Sequence, residues 1–288
     1  MHTGLRNGIK RISGLLLATM CVLSAVACAP SQGGDDATLS VVATIPPLAD
    51  FVNQVGGERV DVTLMVPAGA SPHTYEPTPG QMVEVSGADI YVKVGSGVEF
   101  EIVWLDKLLS QNEDIFLVDS SEGIAVMGND PHIWNSPVLA MQMVENIVAG
   151  LSAADPANAA AYESNGESFL SELTGLNDDI ATLLDGANNR NFLIYHPSFA
   201  YFAAEYDLVQ LAIEHHGKPP TPQVLQQSID AANEHNLQYV FAAPQLATDN
   251  AQSVADAIGG EVKFLDPLAD SYIENMSLVA KSLSQELE

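Results

Sequence analysis

Eight short apolar runs, each bounded by polar or turn residues, constrain this chain more than any other feature. They are Leu39–Ile45, Val60–Val66, Asp89–Val94, Asp114–Val118, Asn191–Tyr195, Leu208–Ile213, Leu237–Ala243 and Glu261–Leu265. Most are nearly unbroken, as in Val240-Phe241-Ala242, and lack the alternation that lets one strand face meet water. Such strands must be covered on both sides, as in parallel sheets flanked by helices. The intervening segments carry helix-start chemistry. Thr78-Pro79 and Thr221-Pro222 each pair an N-cap hydroxyl with a first-turn proline.

The runs fall into two groups of four, spanning 39–118 and 191–265. Between them, Ser136 to Ala153 reads as one helix, and a second runs from near Asp155-Pro156 to about Leu184. At about 1.5 Å per residue, roughly 30 residues span about 45 Å, the width of a domain. The pattern predicts an α/β fold of two similar lobes, each a mainly parallel four-stranded sheet flanked by helices, joined by one long rigid helix. The boundaries are 38–135 for the N-terminal lobe, 136–187 for the helical connector and 188–288 for the C-terminal lobe. A connector that bends poorly favours small tilts over wide hinge closure.

Upstream, Arg6, Lys10 and Arg11 precede the 16-residue apolar run Ile12–Ala27. That layout predicts a signal peptide over residues 1–27, since a spanning helix needs about 18 apolar residues. The end of the run, Ala25-Val26-Ala27-Cys28, resembles a lipobox, which implies acylation of Cys28 and anchoring to the cell membrane. Cleavage after an Ala-x-Ala site, giving a soluble periplasmic or secreted protein, is the alternative. Residues 28–37 are polar and read as a flexible tether. Both cysteines, Cys21 and Cys28, lie in this segment, which excludes a disulfide framework and a cysteine zinc site. Acidic residues outnumber basic ones 37 to 10, and a net charge of −27 argues against a nucleic-acid partner. Removing residues 1–27 takes three cations and no acid, leaving 7 basic against 37 acidic residues and a charge of −30.

Three of the histidines share a context. His73 in Ser71-Pro-His-Thr-Tyr75 lies beyond the second strand, and His132 in Asp130-Pro-His-Ile-Trp134 lies beyond the fourth. His196 in Tyr195-His-Pro197 ends the fifth. Ligands of open α/β sheets bind outside the carboxyl ends of the strands, so these side chains can meet in the cleft between two lobes. Asp266, in Leu265-Asp-Pro267, ends the eighth strand in the same manner. Three imidazoles and a carboxylate complete a tetrahedral shell for a divalent transition metal. Prolines adjoin all four residues and stiffen their loops.

These segments, with Pro72-His73-Thr-Tyr-Glu-Pro-Thr-Pro79, Tyr195-His-Pro-Ser-Phe-Ala-Tyr201 and Phe264-Leu-Asp-Pro-Leu268, resemble in order the signatures of the zinc/manganese substrate-binding lipoproteins of ABC importers. The resemblance covers about residues 38–286. It implies a metal buried between two lobes, a membrane permease as partner, a monomer without enzymatic activity, and His73, His132, His196 and Asp266 at the ligand positions. The sequence departs from the family pattern in three places. The stretch Ser120–Asp130 is short and lacks the histidine-rich loop of many zinc-specific members. Ile-Trp-Asn-Ser-Pro follows His132 where Leu-Asp-Pro is usual, and Pro219-Pro-Thr-Pro222 replaces the usual turn after the sixth strand. Manganese-type members resemble this chain but carry glutamate where His196 stands. Three imidazoles suit Zn2+, with Mn2+ or Fe2+ as the alternatives.

Other residues complete the expected site. His215 and His216, after Glu214, read either as an auxiliary capture site or as a solvated turn, and His235 reads as structural at a helix end. Tyr75, Trp134 and Tyr201 are candidates for the cleft wall, and Asp130, Glu205 and Asp270 for orienting imidazoles. A zinc hydrolase, with three protein ligands and an open position, and a surface adhesin are the rival functions.

Overall fold

The computed structural model describes residues 38–214 and 219–287. The predicted signal segment, Cys28 with the predicted tether, and the pair His215 and His216 lie outside the described residues. Strands β1 (Leu39–Ala43), β2 (Val60–Leu64), β3 (Ile90–Lys93) and β4 (Phe116–Asp119) form one sheet in the order β2-β1-β3-β4. Strands β5 (Asn191–Ile194), β6 (Val209–Ala212), β7 (Tyr239–Ala242) and β8 (Glu261–Phe264) form a second in the order β6-β5-β7-β8. Every pairing is parallel, so the two lobes repeat one topology. All eight predicted strands are present, most of them one or two residues shorter than their apolar runs. The runs outlast the strands because their ends still cap the sheet, as where Met65 N–H donates to Ala43 O and Val66 N–H to Thr44 O.

Helices α1 (Pro46–Gly56), α2 (Pro79–Gly87) and α3 (Glu99–Leu109) flank the first sheet. Helices α4 (Pro137–Ala154) and α5 (Ala159–Asp185) form the connector, and α6 (Ala200–Glu205), α7 (Pro222–Glu234), α8 (Asp249–Ile258) and α9 (Tyr272–Leu287) follow. Thr78 caps α2 by accepting from Gln81 N–H, Ser136 caps α4 from Leu139 N–H, and Thr221 caps α7 from Val224 N–H. The 27 residues of α5 span about 40 Å. This helix starts at Ala159 rather than near Asp155, because Asp155 closes α4 through its own N–H to Leu151 O. The Asp155 carboxylate also accepts from Asn158 Nδ2 and the Tyr162 hydroxyl. The connector is therefore a helical hairpin, and Gly166 lets its arms close up: a Cβ there would sit 2.4 Å from Val148 Cγ2.

Among the described residues α4 alone is long and apolar enough to cross a membrane, but it buries Ala140, Met143, Val144, Ile147 and Leu151 in the core. One apolar core runs from the first sheet through α4, α5 and α9 to one face of the second sheet. Tyr272, at the start of α9, reaches the N-terminal lobe. Its ring meets Phe51 edge-on at 4.9 Å, and its N–H donates to Asp50 Oδ2 at 2.9 Å. Lobes fused in this way can tilt slightly but cannot swing apart without exposing that core.

Candidate metal centre

Four loop segments at the carboxyl ends of the strands build the cleft. His73 follows β2 in a turn where Ser71 O accepts from Thr74 and Tyr75 N–H. His132 follows Asp130-Pro131, and this loop is tied to the β3–α3 loop by the Ser96 hydroxyl donating to Pro131 O at 2.5 Å. His196 stands two residues beyond β5, just after Tyr195, whose N–H donates to Phe241 O and whose O accepts from Glu214 N–H. His132 and His196 are buried and His73 is half-buried.

The three imidazoles converge through one kind of nitrogen. His73 Nε2 lies 3.2 Å from His196 Nε2, which lies 3.4 Å from His132 Nε2. Each Nδ1 faces a carboxylate: His73 meets Glu99 Oε2 at 2.8 Å, His132 meets Asp130 Oδ1 at 2.6 Å, and His196 meets Glu214 Oε2 at 3.3 Å. A carboxylate accepts and does not donate, so each Nδ1 carries the proton and each Nε2 presents a lone pair to the centre. Three lone pairs at this range repel unless a cation sits among them. A tetrahedral zinc ion with nitrogens about 2.0–2.1 Å away sets its ligand atoms about 3.3–3.4 Å apart, close to the two spacings that His196 Nε2 makes here.

Burial pushes the His132 imidazolium down in pKa, and the neighbouring Asp130 only partly offsets this. The ring is accordingly neutral near pH 7, as a metal ligand must be. Glu99 reaches His73 because the first turn of α3 is anchored from below. Buried Glu101 Oε1 accepts from Thr44 Oγ1 at 2.6 Å and Val94 N–H at 2.6 Å, while its Oε2 accepts from Gly95 N–H at 2.9 Å. Gly95 holds this turn at φ +84°, where a Cβ would also collide with Asp119.

Asp266 stands apart from the three histidines. The convergent group comprises His73, His132 and His196, while Asp266 Oδ1 accepts from Gln245 Nε2 at 2.6 Å and Leu268 N–H at 2.8 Å. Of the candidate wall residues, Trp134 packs at a tilt against His132, with ring centroids 5.2 Å apart, and donates from Nε1 to Pro267 O across the cleft. Tyr201 also bridges the lobes, accepting from Met127 N–H and donating to Asp130 O, each at 2.8 Å. Tyr75 lines an outer groove beside Phe100 and donates to Gln81 Oε1.

Among the imidazole-orienting candidates, only Asp130 meets an imidazole. Glu205 is exposed at the end of α6, and Asp270, near Asp50, is exposed before α9; among the described contacts neither touches an imidazole. Sequence reading missed Glu99 and Glu214. Glu214 had a signal, the end of a strand beside a histidine pair; Glu99 looked like an ordinary first-turn helix acid.

A parallel α/β chain of two equivalent lobes, with three carboxylate-backed imidazoles between them, is a bilobal metal-binding protein of the solute-capturing kind. The family model of the zinc-uptake complex component A, periplasmic, matches residues 41–286, and the chain belongs to that family. It is 30% identical over 285 residues to the high-affinity zinc uptake system protein ZnuA of Bacillus subtilis, covering 90% of this chain and 89% of that one. The manganese-binding lipoprotein MntA of Halalkalibacterium halodurans is 28% identical, with 96% and 100% coverage. A crystal structure of ZnuA superposes with a TM-score of 0.84 at 40% identity, over 87% of this chain and all of that one (100%).

Proposed function

We propose that the protein captures Zn2+ between its lobes, on His73, His132 and His196, and delivers it to the membrane permease of an ABC importer. The observation that carries this reading is the 3.2 and 3.4 Å spacing of three bare Nε2 atoms, the edge lengths of a zinc tetrahedron. An all-imidazole set favours zinc over the harder Mn2+, which seeks oxygen. The carboxylates behind the rings fix each tautomer and raise ligand basicity. The protein's role is capture rather than catalysis, on the outer side of the cell membrane, with Cys28 as the lipid anchor and the folded body a monomer.

The test is metal analysis of protein isolated without added metal, followed by competition between Zn2+ and Mn2+. Stoichiometric zinc, retained against excess manganese and lost in His196→Ala, is the expected result. Preferential manganese retention, or zinc affinity unchanged in His196→Ala, overturns the metal or the site respectively.

A further inference from the structure

A cavity of about 340 Å³ opens onto the three histidines, with Met127, Asn129 and Asp130 on its first-lobe side and Pro197 and Ala200 on its second-lobe side. The first-lobe wall is a tight turn. Asp130 N–H donates to Met127 O at 3.0 Å, and Gly128 between them takes φ +58°, a conformation that favours glycine. That bond leaves one donor and one acceptor at the ends of the turn, Met127 N–H and Asp130 O. Both meet a single atom of the other lobe. Met127 N–H donates to the Tyr201 hydroxyl, which donates its one proton to Asp130 O, each at 2.8 Å. Tyr201 is buried, and burial raises its pKa above the ordinary phenol value, so the hydroxyl keeps that proton.

The same residue carries the carboxylate that meets His132: Asp130 Oδ1 accepts from His132 Nδ1 at 2.6 Å and from His132 N–H at 3.0 Å. A line of hydrogen bonds thus runs from the second lobe, through the backbone of Asp130, to an imidazole of the first. Among the described residues the other two pairs are held from within their own lobes. The helix turn that carries Glu99 is anchored by Glu101 on Thr44, Val94 and Gly95, and Glu214 N–H donates to Tyr195 O. We propose that Tyr201 is a positioning residue for His132: its hydroxyl aims the Asp130 carboxylate, so the Asp130–His132 pair grips the ion fully only while the lobes are closed. The inference rests on the zinc-binding reading above and deepens it by naming the contact through which lobe closure acts on a ligand. A tilt that withdraws Tyr201 leaves His132 where it is and slackens the turn behind it. The ion is then held less firmly by both lobes at once, with no bond inside either lobe required to break.

The experiment uses the full chain, with Zn2+ dissociation constants from chelator competition and urea midpoints of the metal-free proteins. Tyr201→Phe keeps the buried ring and removes the hydroxyl, and it weakens zinc by about tenfold. Asp130→Ala already lacks the carboxylate, so adding Tyr201→Phe to it costs less than about twofold further. A Tyr201→Phe loss as large in the Asp130→Ala background as in wild type makes the hydroxyl a plain latch between lobes and overturns the proposal. Unchanged affinity in Tyr201→Phe overturns it too. The second readout needs no metal and no Asp130 variant: the imidazole nitrogen shifts of the metal-free chain by NMR. In Tyr201→Phe the two ring nitrogens of His132 move toward the values of mixed tautomers, while those of His73 and His196 keep their wild-type shifts. Any other pattern, with no ring moving or all three moving together, removes the assignment to His132. Where the double variant fails to fold, this measurement on Tyr201→Phe alone decides. A wild-type chain that binds no zinc refutes the functional reading instead, and the NMR measurement still judges Tyr201, so the two failures are distinguishable.

Discussion

Removing the carboxylate behind the most buried imidazole is the sharpest test of how the site holds its charge. Asp130 Oδ1 accepts from both His132 Nδ1, at 2.6 Å, and His132 N–H, at 3.0 Å, so one atom fixes ring and backbone together. Asp130→Asn keeps an acceptor but removes the negative charge, and a loss of about tenfold in zinc affinity follows. Asp130→Ala removes acceptor and charge, leaving a buried Nδ1–H unpaired and the ring free to turn, for about a hundredfold loss. These losses have a thermal readout. At a thousandfold excess of free zinc over the wild-type dissociation constant, binding stabilises the fold by about 4.1 kcal/mol. At the same zinc concentration a hundredfold weaker site retains about 1.4 kcal/mol. The difference of about 2.7 kcal/mol corresponds to about 5–10 °C of the zinc-induced rise in melting temperature. The assay is a thermal melt with and without zinc for each variant, so that changes in metal-free stability cancel. If Asp130→Ala shows the wild-type zinc shift within about 1 °C, the carboxylate does not support the ligand and the charge argument fails.

Three further outcomes follow from the same geometry. Folding depresses the His132 pKa, so at pH values above about 6.5 both states hold the neutral ring. Below that value the unfolded chain gains the proton first, and metal-free stability falls by up to about 1.4 kcal/mol per pH unit until the folded pKa is reached. Urea midpoints between pH 7.5 and 5.5 check this, and an equal slope in His132→Phe would refute it. Trp134→Phe removes the Nε1 bond to buried Pro267 O and destabilises the protein by about 1–3 kcal/mol, measured by equilibrium unfolding. Gly166→Ala forces a Cβ into Val148 and costs about 1–3 kcal/mol. Adding Val148→Ala recovers part of that loss if overpacking is the cause.

The central strands were legible because their burial is two-sided: Val41, Val42 and Ala43 in β1 are 0% exposed, whereas the edge strands β2, β4, β6 and β8 keep exposed positions such as Phe116 and Phe264 and were legible from their apolar content alone. The three convergent histidines were legible because parallel strands bring their loops to one end of each sheet. What stayed hidden depended on tertiary contacts between acids and rings. The chain has 37 acidic residues, and nothing local marks Glu99 as the one that meets a histidine 26 positions away. Glu205 follows the histidine motif closely in sequence, yet the short helix α6 carries it to the surface.

The division of the site between lobes bears on how a tightly held ion is released. His73 with Glu99 and His132 with Asp130 belong to the first lobe, while His196 with Glu214 belongs to the second. A small tilt thus withdraws an intact histidine–carboxylate pair and breaks no bond within either lobe. The shared core through α4, α5 and α9 is the fulcrum and need not open. Near the ion the tilt is resisted by side-chain hydrogen bonds that cross the cleft: Trp134 to Pro267 O, Asn135 to Ser198 O, and the Tyr201 hydroxyl with Met127 N–H and Asp130 O. Each contributes about 1 kcal/mol net. The barrier they pose together is a few kcal/mol, within what one partner surface can supply by docking on both lobes, whereas unfolding the connector lies far beyond it. Release by tilting therefore places the work on these hydrogen bonds and on His196, and leaves His73 and His132 of the first lobe in place.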